Sequence, residues 1–269
     1  MKRILLMVLR NIVFVPYWWI KLCWYATHTD DYPEEKKYAF LRLVDEHAIE
    51  GGNIHIDVHG AENIPKEKGF MFFPNHQGLF DVLAIIRACP VPFSVVAKKE
   101  VGEIPFLKQV FACMKAFIID REDLKQSMQV IVNVIREVKA GRNYLIFPEG
   151  TRSKNGNHPG PFKGGSFKTA TKTKCPIVPV ALIDSFKAFD TGSTERLTVQ
   201  VHILPPMYYE EYKDMHTTEL AEEVKRRIEK GDRREYYVKK EKTLMKLEQK
   251  HHQGLFLLYV LYKNETFYL

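Results

Sequence analysis

The chain is poor in cysteine, and what it has is scattered. Its four cysteines are Cys23, Cys89, Cys113 and Cys175, and no C-x-x-C pair occurs. That argues against a zinc ribbon, a dithiol redox motif and a disulfide framework, and a reducing compartment is the natural setting. No G-x-S-x-G elbow is present, so an exposed serine nucleophile is not expected. Gly160 to Ser166 comes near a phosphate-binding loop, but Gly165 stands where that loop needs Lys. His251-His252 has no metal-ligand spacing around it. Cys89 and Cys113 fall inside apolar helical stretches, where a thiol is usually packing. No covalent enzyme intermediate, metal or cofactor is therefore expected. A recognisable nucleic-acid-binding module is also missing, so no nucleic-acid partner is expected.

What is present is a globular composition. Of 269 residues 45% are hydrophobic and 27% charged, which fits a chain able to bury a sizeable core. Lys+Arg outnumber Asp+Glu by 40 to 33, a net charge of +7. Such an excess suits an anionic partner: a membrane surface, a phosphate-bearing substrate or a nucleic acid.

Residues Ile4 to Tyr25 are apolar and aromatic, interrupted by Arg10, Asn11, Pro16 and Lys21. The start mimics a secretory signal, but Arg10 breaks the apolar region and no small-residue cleavage site follows. A spanning helix wants about 20 apolar residues, whereas the uncharged run here extends only from Asn11 to Ile20. Tyr17, Trp18, Trp19, Trp24 and Tyr25 are headgroup-level residues. The favoured reading is a helix lying in one leaflet; a single span and a buried core helix are its rivals. A second helix starts near Asp31-Tyr32-Pro33-Glu34-Glu35 and stops at Gly51-Gly52.

The middle of the chain alternates strand and helix. Ile54, Ile56 and Val58 alternate with polar residues as a half-buried strand does. Strands are expected at Phe70–Phe73, Phe93–Ala97, Ala116–Ile119, Tyr144–Phe147, Ile177–Ile183 and Leu197–Leu204. Helices are expected at Val82–Cys89, Pro105–Met114, Leu124–Ala140 and Gly165–Thr173. The pattern predicts an α/β fold with a largely parallel or mixed central sheet flanked by helices. The expected organisation is a membrane-associating helix pair at 1–50, a catalytic domain at 51–215 and a basic helical segment at 216–269.

Three apolar strands each lead into a polar cluster: Asn75-His76 with Asp81, Asp120-Arg121, and Glu149-Gly150-Thr151-Arg152. If those strands run parallel, the clusters meet at one edge, where open α/β sheets place their sites. His76 and Asp81 are five apart, too far to share a helix face. They meet only if His76 sits in a loop and Asp81 in the first helical turn. A carboxylate on one imidazole nitrogen would then leave the other free as a base. Polar residues also follow strands simply because loops do.

Together these blocks resemble the glycerolipid acyltransferase family, in particular its members that acylate 1-acyl-glycerol-3-phosphate. Asn75-His76-Gln77-Gly78-Leu79-Phe80-Asp81 matches the family's NHxxxxD block, and Phe147-Pro148-Glu149-Gly150-Thr151-Arg152 matches its EGTR block. Phe117-Ile118-Ile119-Asp120-Arg121 resembles the second block and Ile177-Val178-Pro179-Val180 the fourth. The resemblance covers about residues 50–205. In the second block Lys115 stands in a region where the family often has Gly; it reads equally as a phosphate contact or a solvent-exposed residue.

The resemblance implies transfer of an acyl group from coenzyme A or acyl carrier protein to a glycerophosphate hydroxyl, with His76 as base oriented by Asp81. The expected acceptor is lysophosphatidic acid and the product phosphatidic acid. Glycerol-3-phosphate or another lysophospholipid as acceptor, or a non-catalytic lipid-binding role, are the alternatives. Arg121 and Arg152 are expected to hold the phosphate, and backbone near Gly150 and Thr151 the developing oxyanion. Glu149 binds a substrate hydroxyl or holds an arginine, and Lys163 assists or is merely surface. The enzyme is expected at the cytoplasmic face of the membrane, peripheral or monotopic. Between Lys225 and Lys246 ten basic residues face four acids, a solvated face, an anionic-lipid contact or a dock for an acidic carrier. The apolar octet from Leu255 to Tyr262 is too short to span.

Overall fold

The computed structural model describes residues 2–120 and 122–231. Arg121, most of the basic run and the apolar octet lie outside them. Seven strands form one sheet: β1 (Ile54–His59), β2 (Met71–Pro74), β3 (Ser94–Lys98), β4 (Phe117–Ile119), β5 (Tyr144–Leu145), β6 (Ile177–Ile183) and β7 (Leu197–Ile203). Their order is β1-β7-β6-β2-β5-β3-β4. Every neighbouring pair is parallel except β6 with β7. The expected strands are thus all present in a largely parallel sheet. The expected Tyr144–Phe147 strand shortens to two residues, because the chain turns at Phe147-Pro148 to build the site.

The sheet separates two apolar layers, and its strands feed both with period two. Along β2, Phe72 enters one core while Met71 and Phe73 enter the other. Along β6, Val178, Val180 and Leu182 face the first core, and Ile177 and Ala181 the second. The first core is covered by α3 (Glu34–Gly51), α4 (Asp81–Ala88) and α6 (Leu107–Cys113), α5 (Lys99–Gly102) being a single turn before α6. The second is covered by α7 (Leu124–Lys139), α8 (Lys168–Thr173) and α11 (from residue 217). Short α9 (Lys187–Asp190) and α10 (Tyr209–Tyr212) follow β6 and β7.

The N-terminal region departs from the expectation of one helix over Ile4–Tyr25. It forms α1 (Lys2–Arg10) and α2 (Val15–Thr27), bent by 99° at the break. Asn11 makes the corner: its Nδ2 donates to the carbonyls of Met7 (2.8 Å) and His47 (3.0 Å). Pro16, in the first turn of α2, sits where its missing N–H costs nothing. No single described helix is long and apolar enough to cross a membrane; α1 and α2 pass that test only together.

Residues 1–50 are not a separable segment either. Trp18, Leu22 and Tyr25 of α2 and Tyr38, Phe40, Leu41 and Ile49 of α3 belong to the same core as Phe72 and Val95. Arg3 donates to the carbonyls of Gly52 (2.6 Å) and Glu195 (3.0 Å), tying α1 to the segments that lead into the paired strands β1 and β7. Gly51 and Gly52 let α1 approach, since a Cβ on Gly51 would fall 2.5 Å from Asn11 Nδ2 and one on Gly52 2.4 Å from Met7 Cε. The expected boundary at 215/216 also falls inside packed structure. Leu220, Ala221, Val224 and Ile228 of α11 are buried in the second core, and the compact unit runs from Met1 to Glu229. Sequence hid this because amphipathic faces do not declare which sheet they cover.

The opposite face of the α1–α2 pair stays bare. Leu5, Leu9, Ile12, Val13, Phe14, Tyr17, Ile20 and Trp24 are exposed, Val13 at 80% and Ile20 at 70%. That is a contiguous apolar surface of a kind soluble proteins rarely present.

Candidate active site

β2 and β5 are parallel neighbours, so the loops that follow them leave the same edge of the sheet. After β2 the chain bends through Asn75-His76-Gln77-Gly78 before α4 opens at Asp81. The bend lets two residues five apart meet: His76 Nδ1 lies 2.8 Å from Asp81 Oδ2. Asp81 is fully buried, and the backbone N–H groups of Gln77 (2.6 Å) and Gly78 (2.9 Å) donate to the same oxygen. An acceptor-only carboxylate accepts a hydrogen bond from Nδ1–H and so leaves the His76 Nε2 lone pair free.

The His76 backbone is clamped from two sides. Its N–H donates to Glu149 Oε1 (2.7 Å), and its carbonyl accepts from the Ser153 N–H (3.0 Å). Glu149 Oε2 accepts from the Gly160 N–H (2.8 Å), and a Cβ on Gly160 would lie 2.8 Å from that oxygen. Glu149 thus holds the loop backbone on both of its oxygens. These backbone contacts are a role other than the substrate hydroxyl or arginine expected for it. Burial raises the Glu149 carboxyl above its ordinary range, and the two backbone donors pull it partly back. The His76 ring stacks on Phe147, centroids 4.0 Å apart.

Asn75 fixes the start of the bend to β6. Its Nδ2 donates to the Leu182 carbonyl (3.0 Å) and its Oδ1 accepts from the Leu182 N–H (2.7 Å). Gln77, buried, donates to the Leu182 carbonyl (2.8 Å) and to Asn157 Oδ1 (3.0 Å). Ser185 Oγ donates to Asp81 Oδ1 (2.6 Å). No sequence signal reaches Ser185, which stands 104 residues from Asp81. Gln77 occupies a position the NHxxxxD pattern leaves open.

His76 faces a cavity of about 390 Å³. Its polar lining includes Lys98, Arg152, Lys163 and Ser166, with the Gly150 backbone. Most of the lining is apolar: Leu79, Leu83 and Ile86 along the bend and α4, Val95 and Ala97 of β3, Leu107, Val110 and Phe111 of α6, and Ile131 of α7. Arg152 and Gly150 line the same cavity as His76. The Gly150 N–H is committed to a turn, donating to the Phe147 carbonyl (3.1 Å), and Thr151 is exposed.

Two expected contacts fall elsewhere. Lys115 precedes β4, at the edge opposite His76, and its Nζ pairs with Asp30 Oδ1 (2.5 Å). Its carbonyl also accepts from Ser94 Oγ at the start of β3 (3.0 Å). Lys115 is not among the residues that line the cavity. β4 is the outer strand, and Asp120 at its end pairs with Lys99 (3.1 Å) rather than with the His76 cluster. The three buried thiols, Cys89, Cys113 and Cys175, are free, and burial pushes each up to about 11, so none is a ready nucleophile. Among the described residues no group of three His, Cys, Asp or Glu is arranged to hold a metal ion.

Residues 55–183 match the family model described as Acyltransferase. The chain is 34% identical over 154 residues to the 1-acyl-sn-glycerol-3-phosphate acyltransferase of Borreliella burgdorferi, covering 56% of this chain and 61% of that protein. It is 31% identical over 176 residues to the protein of that name from Saccharomyces cerevisiae, covering 64% of this chain and 58% of the other. These matches span less than two thirds of each relative's length. Among solved structures, the 1-acyl-sn-glycerophosphate acyltransferase PlsC from Thermotoga maritima shares the fold. Its TM-score is 0.68 at 21% identity, over 87% of this chain and 96% of that one.

Proposed function

We propose that residues 55–183, which match the family model described as Acyltransferase, form a domain of that family, and that the chain moves a fatty acyl group from a thioester to the sn-2 hydroxyl of 1-acyl-glycerol-3-phosphate, giving phosphatidic acid. The observation that carries this reading is the 2.8 Å contact between His76 Nδ1 and buried Asp81, on a mostly apolar cavity that cationic side chains also line. The relatives' names supply the acceptor.

An alcohol is a poor nucleophile and needs a base as it attacks. His76 Nε2 takes the hydroxyl proton while the alcohol oxygen bonds to the thioester carbonyl carbon. The C–S bond then breaks, and the imidazolium returns its proton to the departing thiolate, leaving an ester and a free thiol. Asp81 keeps the ring in the one tautomer able to do this and stabilises the imidazolium between the two steps. Of the cations that line the cavity, Lys98 pairs with Glu100, and Arg152 and Lys163 are proposed to hold the acceptor phosphate; Arg gives it a bidentate fork. Arg121 is proposed to join them. The apolar walls suit a hydrocarbon chain. The acyl donor is coenzyme A or acyl carrier protein.

The bare face of α1 and α2 supports docking on a lipid leaflet, here proposed to be the cytoplasmic one. α2 packs on α6, and α6 residues wall the cavity. Docking of that face on a leaflet would bring the helix that walls the cavity toward the lipid. A panel assay tests the acceptor: thioester consumption with 1-acyl-glycerol-3-phosphate, glycerol-3-phosphate and lysophosphatidylcholine. The first should be consumed fastest by a wide margin. Preference for either of the others overturns the acceptor, and no consumption with any overturns the reaction.

A further inference from the structure

Asp81 is wholly buried and both of its oxygens are engaged. Oδ2 accepts from His76 Nδ1 and from the N–H groups of Gln77 and Gly78. Oδ1 accepts from the Ser185 hydroxyl at 2.6 Å. We propose that Ser185, itself fully buried just beyond β6, is a positioning residue for the proposed acyl transfer. Its hydroxyl locks the rotation of the Asp81 carboxylate and draws charge away from the oxygen that faces His76.

The protein invests structure in aiming that hydroxyl. Asp184 takes a left-handed conformation, φ +64°, which is uncommon for a residue with a side chain. The turn is held by Gln77, whose Oε1 accepts from the N–H groups of Ser185 (2.8 Å) and Phe186 (3.3 Å). It is held again by Asn157, whose Nδ2 donates to Asp184 Oδ1 (3.0 Å) and whose Oδ1 accepts from the Asp184 N–H (2.8 Å). Strain kept in place by several buried hydrogen bonds next to reactive groups is a mark of positioning. Gln77 lies between His76 and Asp81 in sequence, so one bend carries the base, its carboxylate and the residue that places the carboxylate's other partner.

Without the hydroxyl, Oδ1 is a buried acceptor with no donor, and the charge concentrates on Oδ2. The His76–Asp81 pair then binds a proton more tightly, as a unit. The other charged groups around the pair are Glu149 on the loop after β5, Arg152 and Lys163 on the cavity, Asp184 beside Ser185, Lys187 paired with it, and Asp190 of α9 beside Gly78. All of them remain in a Ser185→Ala chain, so a change in titration reads the lost hydroxyl.

The proposal rests on His76 acting as base, and its test separates the two claims. The His76 ring is titrated by NMR in the full chain without substrate, in wild type, Ser185→Ala and Ser185→Thr. Proton uptake by the pair should move up by roughly 0.5–1 pH unit in Ser185→Ala, the effect of one donor lost from a carboxylate. The acid limb of turnover should shift with it, and kcat should fall about tenfold with KM for donor and acceptor unchanged. Ser185→Thr, which keeps the hydroxyl, should restore both. If Ser185→Ala does not fold, Ser185→Cys, of similar size and a weaker donor, carries the same measurement. An unshifted titration with normal kcat in a folded variant overturns the proposal. A shifted titration in a chain with no acyltransferase activity upholds the Ser185 contact and overturns the acyl-transfer reading instead.

Discussion

Two regions of this molecule put side chains where they are costly, and they handle the cost differently. At the carboxyl edge of the sheet, Asn75, Gln77, Asp81, Glu149 and Ser185 are all buried, and each has named hydrogen-bond partners. In the N-terminal layer, apolar residues from Leu5 to Trp24 face outward, and Asp45 of α3 is buried with neither oxygen partnered. Burial alone is therefore no sign of a site. What distinguishes the edge is that every buried polar group there is held in one orientation by another, the condition a proton-transfer site needs.

The largest expected effect comes from breaking that order at its centre. Asp81→Asn should keep the fold, because the amide oxygen can still accept from Gln77 and Gly78 N–H. That same oxygen still meets His76 Nδ1, and the amide NH₂ takes the place of Oδ1 against the Ser185 hydroxyl, so what is lost is the negative charge that stabilises the imidazolium. Turnover should fall by about 10²–10⁴, and steady-state assays on a variant with wild-type circular dichroism check it. An unchanged rate would show that the charge of Asp81 does not matter to His76.

Arg152→Ala should act on binding. Loss of a charge-assisted contact to phosphate should weaken the acceptor by about 1.5–3 kcal/mol, read as a rise in its KM with the donor's KM unchanged. An acceptor KM that does not move would take the phosphate away from Arg152.

The N-terminal layer is tested on its bare face. Deleting residues 1–50 would open the shared core, so substitution is the sharper tool. Val13→Asp combined with Ile20→Asp changes two exposed positions, and should lower affinity for lipid vesicles by about 10- to 100-fold without lowering thermal stability. Flotation that is unchanged at low salt but lost at high salt would assign docking to charge attraction instead.

The smallest effect concerns Asp45. Burial raises its carboxyl well above the ordinary range, more than Arg87 and Arg42 draw it down. A raised folded value means the folded chain holds the proton more tightly, so stability is lost as pH rises above the unfolded value of about 4. Asp45→Asn should therefore stabilise the protein by about 1–3 kcal/mol at neutral pH, a gain that shrinks as pH falls toward 4. A loss of stability at pH 7 would mean that Asp45 is paired after all.

The same contrast explains what could be read from sequence. Alternation at Ile54–Val58 and the apolar runs at Phe70–Phe73 and Ile177–Ile183 located strands, because period two is a local property. The bend between His76 and Asp81 followed from spacing, since no helix face holds residues five apart. Lys115 was legible as a cation but not as one at the wrong edge, which depends on the direction of β4. The corner at Asn11 depends on a carbonyl of His47, 36 residues away, and Glu149 binds backbone, which has no residue code. Ser185 lay beyond reach because a serine after a strand looks like any loop residue until the sheet brings it to Asp81.

The account rests most directly on His76. Turnover of an acyl thioester with 1-acyl-glycerol-3-phosphate should be measured for the full chain and for His76→Ala, with melting temperature as the control for folding. The account predicts a loss of about 10²–10⁴ in kcat at matched stability. A folded His76→Ala chain that turns over at close to the wild-type rate would contradict it.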